Sequence, residues 1–573
     1  MSGYIPIDAS DALRRVKAKK KQVTISGLVL AFFLIVFLVL RKTSSNDFEI
    51  PECRDCGSYK ALQPAFTGQI NEILYDEDYK LDVIGKLSRA VQHPTQIFDD
   101  TPAPTKNTLL SDDWKNFTSF HTYLEETFPH VFSTLKVEKV NFFGLLLTWE
   151  PETATENKPV VLMAHQDVVP VEPNTINKWT HPPFEGFYDS EKDLIYGRGV
   201  CDCKQLLISQ LEAVEKLIQD GYKPENRALI LSMGFDEEAS GTYGADQLSK
   251  FLENRYGKNG IYAIVDEGGS VAIDNGDYFA GPVGTEKGYL DAWITLNTPG
   301  GHSSVPNAHT SIGLISLLNV LLENDPYEQA ITPNNPVLEQ LQCYAKYSNM
   351  NPELKKAISK NDIETIGELI NNDLSLKYYF QTSQAIDIIK GGVKSNALPE
   401  QVTVLVNNRI GIHSSVQDVV DHILKHLQTV AEEYDLTITL EKDSGKQVSI
   451  REEGANGDFV FRMFSSLEPA PISPTGNDTF WEILAGTTVS VYAHDLFNTN
   501  GTSNVYVAPS LSTGNTDTRF YWRLTNRIYR FTGALEDIET NEHTVDEKIT
   551  GKSLISNIAY MYEFIPNIDK YAR

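Results

Sequence analysis

The sequence predicts an α/β protein with a separate α+β unit and a single N-terminal membrane anchor. Three observations carry this reading. Short apolar runs end in polar clusters, helix-period segments lie between them, and an uncharged apolar run stands near the start. With 573 residues, 41% hydrophobic and 22% charged, the chain is globular rather than collagen-like, coiled-coil or disordered. Its 50 Lys+Arg against 77 Asp+Glu give a net charge of -27, a field that repels phosphate backbones and argues against a nucleic-acid partner.

The first element is Val23–Leu40, VTISGLVLAFFLIVFLVL, long enough as a helix to cross a hydrocarbon core about 30 Å thick. Arg14, Arg15, Lys17, Lys19, Lys20 and Lys21 precede it and only Arg41 and Lys42 follow directly. The charge bias places residues 1–22 in the cytosol and leaves 41–75 as a lumenal stalk. The run exceeds a signal-peptide core and no A-x-A site follows, so an uncleaved signal anchor is expected. Asn116, Asn477 and Asn500 each begin an N-x-T sequon suited to a secretory lumen. Cys53 and Cys56 form a CxxC that reads as a stalk disulfide or free thiols, with half a metal site as the remaining alternative. Lys17, Lys19, Lys20 and Lys21 read as topogenic charges, and as cytosolic lysines they are also candidates for ubiquitin-directed sorting.

From Asp76 to Pro94 the apolar spacing predicts an amphipathic helix stopped by the proline. Buried strands follow at VVLMA before His165, ALILSMGF before Asp236-Glu237-Glu238, and IYAIV before Asp266, with LLISQLEAVEKLIQDG as a crossover helix. Ligands gather beyond the carboxyl ends of such strands, where these polar clusters stand. From Tyr289 the pattern alternates in LDAWITL, then again in VTVLVNNRI, each followed by a helix, the second VQDVVDHILKHLQTVAEEY. This is the separate α+β unit.

His165 and Asp167 in AHQDVVP, Asp202 in YGRGVCDCK, Glu237 and Glu238 in FDEEASG, Asp266 in VDEGG and His543 in NEHTVDE offer the imidazole and carboxylate donors that zinc accepts. Two His and three carboxylates can hold two zinc ions if one carboxylate bridges, leaving another for acid–base work. Cys201 and Cys203 flank Asp202. Strand alternation would turn both away from it, so they are expected to be free, buried thiols, with Lys204 in an ion pair or capping carbonyls and Arg198 structural.

The ordered motifs HQDVVP, W-x-x-PPF, GRG-x-x-DxK, GFDEEASGT-x-GA, EKGY, GGHSSVP, GGVK-x-NALPE, EPAP-x-SP, GNTDT and NEH, over roughly residues 75 to 570, resemble the zinc peptidases grouped as family M20, and within it a fungal carboxypeptidase branch. The resemblance implies a di-zinc exopeptidase-type catalytic domain with a mixed, largely parallel sheet, split into 76–288 and 466–573 by a lid or dimerisation domain at 289–465. It implies two Zn²⁺ per subunit, one held by His165, Asp202 and Asp266, the other by Asp202, Glu238 and His543. Glu237 would be the general base and Asp167 would orient His165. His302 would stabilise the oxyanion, in cis or from a partner subunit. Arg409 would bind the substrate carboxylate, with Asn396 and Asn515 as further donors. It implies a vacuolar metallocarboxypeptidase acting on short peptides with a free C-terminus, Gly next to the terminal residue preferred, as monomer or homodimer. The alternative within enzymes is an N-acyl-amino-acid hydrolase or synthase. A non-catalytic peptide-binding homologue would have lost a ligand or the base, and all of them are present.

Overall fold

The computed structural model describes residues 56–572, apart from 58, 154–155 and 499–500. The expected anchor 23–40, the tail expected to be cytosolic with Lys17, Lys19, Lys20 and Lys21, Cys53 and the sequon residue Asn500 lie outside the described residues. Among the described residues no helix is long and apolar enough to cross a membrane.

The apolar runs build a ten-stranded mixed sheet. Its centre is parallel, in the order Leu229–Gly234, Val160–His165, Ala263–Asp274 and Ile528–Glu536. Antiparallel Gly144–Trp149 and Lys136–Val140 extend one side, and Val283–Glu286 with Ser510–Ser512 the other. Val160–His165 and Leu229–Gly234 are buried at every position, the mark of strands covered on both faces. One face packs Val160, Leu162, Leu229, Leu231, Ala263 and Val265 under the helices Lys204–Gln219 and Gly551–Tyr571. The opposite face packs Val161, Met163, Ile230 and Ile264 against the helix Ala245–Tyr256. The expected amphipathic helix spans Glu77–Val91, started by the Asp76 carboxylate accepting from the Tyr79 N–H (2.9 Å) and ended ahead of Pro94.

A second, six-stranded sheet runs in the order Ser383–Gly391, Gln401–Ile410, Gly288–Asn297, Asp458–Leu467, Thr437–Glu441 and Gln447–Arg451. Burial alternates strictly along Gly288–Asn297, so one face is covered, by the helices Ser311–Glu323 and Val416–Tyr434. The latter is the VQDVVDHILKHLQTVAEEY segment, opened by a reciprocal cap between Ser415 and Asp418.

Between these elements the chain makes a helical excursion that includes Pro336–Tyr347. That helix packs on the large sheet, where the Gln340 side chain meets the Ser510 hydroxyl at 3.2 Å. Here the Cys53–Cys56 pairing is corrected. Cys56 forms its disulfide with Cys343, with Cα atoms 5.6 Å apart, within an apolar cluster that includes Phe279 and Tyr506. A partner 287 residues away leaves no local mark in a CxxC.

Candidate active site

Strand ends and the loops beside them bring the polar residues together. His165 closes the strand Val160–His165, and Glu237 and Glu238 follow Leu229–Gly234. Glu267 lies within Ala263–Asp274, Asp202 lies just before the helix Lys204–Gln219, and His543 precedes the short strand Lys548–Thr550. Gly199, in the GRG turn that leads to Asp202, has φ +83°, and a Cβ there would strike Val168.

Asp202 stands between two histidines, Oδ1 2.9 Å from His165 Nε2 and Oδ2 2.7 Å from His543 Nε2. Glu267 Oε2 is 3.2 Å from His165 Nε2, and Glu238 Oε1 is 3.4 Å from His543 Nε2. Two donor clusters result, His165 with Asp202, Cys203 and Glu267, and Asp202 with Glu238 and His543; within each, the donor atoms lie within 4.8 Å of one another. His165 Nδ1 lies 3.0 Å from the Asp167 carbonyl oxygen, which turns Nε2 toward Asp202 and Glu267. The Asp167 carboxylate approaches the same Nδ1 at 3.4 Å and accepts the Glu238 N–H at 3.0 Å, so it fixes both clusters.

This donor set fits two divalent ions sharing one carboxylate. Glu238 Oε1 is buried without a hydrogen-bond partner, as an oxygen awaiting a cation would be. The titration directions report the same excess of buried negative charge. Burial pushes Glu267 up to about 8, partly countered by His165. Burial, then the charges of Glu267 and Asp517, push Glu237 well above the carboxylate range. Burial raises Asp202 as well, but hydrogen bonds from His165 and His543 more than offset it and hold it low. The hydrogen-bonded Asp202 carboxylate and then the nearby Glu238 carboxylate raise His543 to about 10.

The structure corrects the placement of Asp266. Successive strand residues face opposite sides. Glu267 shares the face of Ala263 and Val265, toward the helix that carries Asp202, whereas Asp266 shares that of Ile264 and feels the charge of Asp517. Cys203 is the free, buried thiol expected, but not for the reason of strand alternation. Its segment is a turn, not a strand, and its Sγ lies 3.2 Å from the His165 backbone nitrogen, with burial raising the thiol well above its usual value. Cys201 is free as well, though only partly buried. Lys204 caps the carbonyls of Ala90 (2.9 Å) and His93 (2.6 Å).

A cleft of about 870 Å³ is lined by Asp202, Glu237, Glu238, Glu267, His543, Arg409 and Asn515, among others. The Arg409 guanidinium lies 4.7 Å over the Tyr289 ring and donates to Asn515 Oδ1 at 3.1 Å, while Asn515 Nδ2 donates to the Lys287 carbonyl. The structure does not bring His302 or Asn396 to this cleft. His302 is exposed in a two-residue strand paired with Ala397–Leu398, its Nδ1 2.8 Å from the Ser304 hydroxyl, and Asn396 is exposed beside it. Asn477 is exposed, and the Asn116 amide donates to the Pro94 carbonyl at 2.8 Å.

Sequence reasoning missed Glu547. This buried carboxylate accepts the N–H groups of Gly199 (3.0 Å), Cys201 (2.9 Å) and Asp202 (3.3 Å) through Oε1 and pairs with Arg198 at 2.6 Å through Oε2, so it shapes the loop that presents Asp202. An acid four residues beyond His543 was the only available sign.

The description "Peptidase family M20/M25/M40" matches residues 161–567, and the chain belongs to this family. It is 41% identical to carboxypeptidase S of Saccharomyces cerevisiae over 90% of this chain and 89% of that protein. It is 32% identical to the human N-fatty-acyl-amino acid synthase/hydrolase PM20D1 over 84% of this chain and 87% of that one. Among solved structures, the M20 family metallo-carboxypeptidase Sso-CP2 of Sulfolobus solfataricus superposes with a TM-score of 0.55 at 18% identity, covering 85% of this chain and 99% of that one. Within the family the protein is a metal-dependent carboxypeptidase.

Proposed function

We propose that the chain is a membrane-anchored, lumenal di-zinc carboxypeptidase that removes the C-terminal residue of short peptides, with Gly preferred next to it. The observation that carries this reading is Asp202 spanning His165 and His543 in the same cleft as Arg409. His165, Asp202 and Glu267 would hold one zinc ion; Asp202, Glu238 and His543 the other. Bound there, the ions supply Lewis acidity to the scissile carbonyl and acidify a water. Glu237, on the cleft wall, takes a proton from water at a carboxylate oxygen and delivers it to the leaving amine nitrogen as the new C–O bond replaces C–N. Arg409, steadied by Tyr289 and Asn515, pairs with the substrate's terminal carboxylate. Residues 289–465 act as lid or dimerisation domain between the catalytic parts 76–288 and 466–573, and His302 completes the site on lid movement or from a partner subunit.

Residues 23–40 anchor the chain in the vacuolar membrane, residues 1–22 stay cytosolic with Lys17, Lys19, Lys20 and Lys21 available to ubiquitin, and Asn116, Asn477 and Asn500 are the sequons facing the lumen. The test is hydrolysis of a blocked Gly-Leu dipeptide against an N-acyl amino acid, with metal quantified before and after chelation. Chelator-sensitive preference for the dipeptide is expected. Preference for the acyl amino acid would replace this reading with the second one, which the 32% identity to PM20D1 favours. Protease protection of the N-terminal tail in sealed vesicles would reverse the orientation.

A further inference from the structure

The helix Val416–Tyr434 carries His422 and His426 four residues apart, on one face, with rings 5.0 Å apart in a T-shaped arrangement. Asp325, just beyond the helix Ser311–Glu323, brings Oδ2 to 3.0 Å from His426 Nε2. The donor atoms of these three residues lie within 4.8 Å of one another. His422 Nε2 is buried with no hydrogen-bond partner. The Tyr327 ring lies 4.3 Å from the His422 ring, and its hydroxyl is tied to Asn408 at 3.1 Å, so the imidazole is held from behind. Burial lowers both histidines below their usual range, which favours the neutral form that ligates metals. Lys425 is the competitor, with Nζ 2.7 Å from the same Asp325 oxygen, and its side chain is two-thirds exposed and free to swing away.

We propose that Asp325, His422 and His426 form a metal site in the six-stranded-sheet unit, separate from the catalytic cluster, for a borderline divalent ion of the zinc class. Two imidazoles and one carboxylate leave a fourth position open to water, and this nitrogen-rich set disfavours calcium and magnesium. The ion replaces the proton shared by His426 and Asp325 and ties the helix Val416–Tyr434 to the end of Ser311–Glu323.

The test is equilibrium dialysis of the full chain against buffered Zn²⁺, with metal counted by mass spectrometry in wild type, His422→Asn, His426→Asn and Lys425→Gln. Wild type and Lys425→Gln should each carry one ion more than either histidine variant, whatever number the catalytic cluster holds. Hydrolysis per chain should stay unchanged in His422→Asn. Added zinc should raise the melting temperature of wild type above that of His422→Asn once the catalytic cluster is saturated in both. Should substitution of the buried His426 prevent folding, the half-exposed His422 carries the comparison. Equal zinc content in wild type and His422→Asn would overturn the proposal and leave the three residues as a hydrogen-bonded cluster.

Discussion

Glu547→Gln isolates the support beneath Asp202. The substitution keeps the shape and one oxygen, so the bonds from Gly199, Cys201 and Asp202 to Oε1 can survive. What changes is the 2.6 Å contact with Arg198, where an amide NH₂ now faces a guanidinium, donor against donor, with Arg198 only 4% exposed. Stranding one partner of a buried ion pair costs about 3–5 kcal/mol. The Asp202 loop should loosen as well, lowering metal affinity by about 10–100-fold, the range seen when partners behind metal ligands are removed. Arg198→Met combined with Glu547→Gln should recover part of the loss, because no unpaired charge remains. Urea unfolding at fixed free zinc and competition with a chromophoric chelator measure the two effects. A stability change under about 1 kcal/mol together with unchanged metal affinity would refute the assigned role of Glu547, since even the low end of a broken buried pair exceeds it.

Four further outcomes are expected. Glu237→Gln should retain its metal while turnover falls by at least about 100-fold, the lower end of what a general base contributes, whereas Glu238→Ala should lower metal content as well; metal analysis beside kcat separates them. Glu267→Ala should weaken metal binding by more than about 100-fold, beyond the effect of an outlying partner, and Asp266→Asn should not; chelator titration of both variants decides which acid ligates. Arg409→Lys should lower kcat/KM for substrates with a free carboxylate by about 10–150-fold, the worth of a charged hydrogen bond at about 1.5–3 kcal/mol, and leave amidated analogues unaffected. Burial, then Lys139, lowers His121 to about 4 from 6.5, so the unfolded chain binds the extra proton between those values. Stability should therefore fall by about 3 kcal/mol as pH drops from 6.5 to 4, and His121→Gln should flatten that slope in urea unfolding.

The elements with strong periodicity were legible in the sequence. VQDVVDHILKHLQTVAEEY and the strands ending at His165 and Gly234 carry their own pattern and fold where that pattern puts them. Adjacent acids such as Asp266 and Glu267 were not separable by motif, because which one faces the metal cluster depends on strand parity. The parity was nevertheless written in AIVDE, where Ala263 and Val265 share a face with Glu267. Cys343 and Glu547 were hidden for a different reason, since their partners lie 287 and about 350 residues away and tertiary packing alone joins them. His302 shows the opposite limit. A motif marks it, yet the single chain leaves it exposed.

Asp202 and His543 meet across 341 residues of chain, and His165 is farther still from His543 in sequence. His165, Asp202, Glu238 and Glu267 are all synthesised well before His543. A chain cut ahead of His543 thus holds one donor cluster without the other, and the second cluster forms only once the segment carrying His543 docks. The order of residues along the polypeptide keeps the second donor cluster open until His543 is in place.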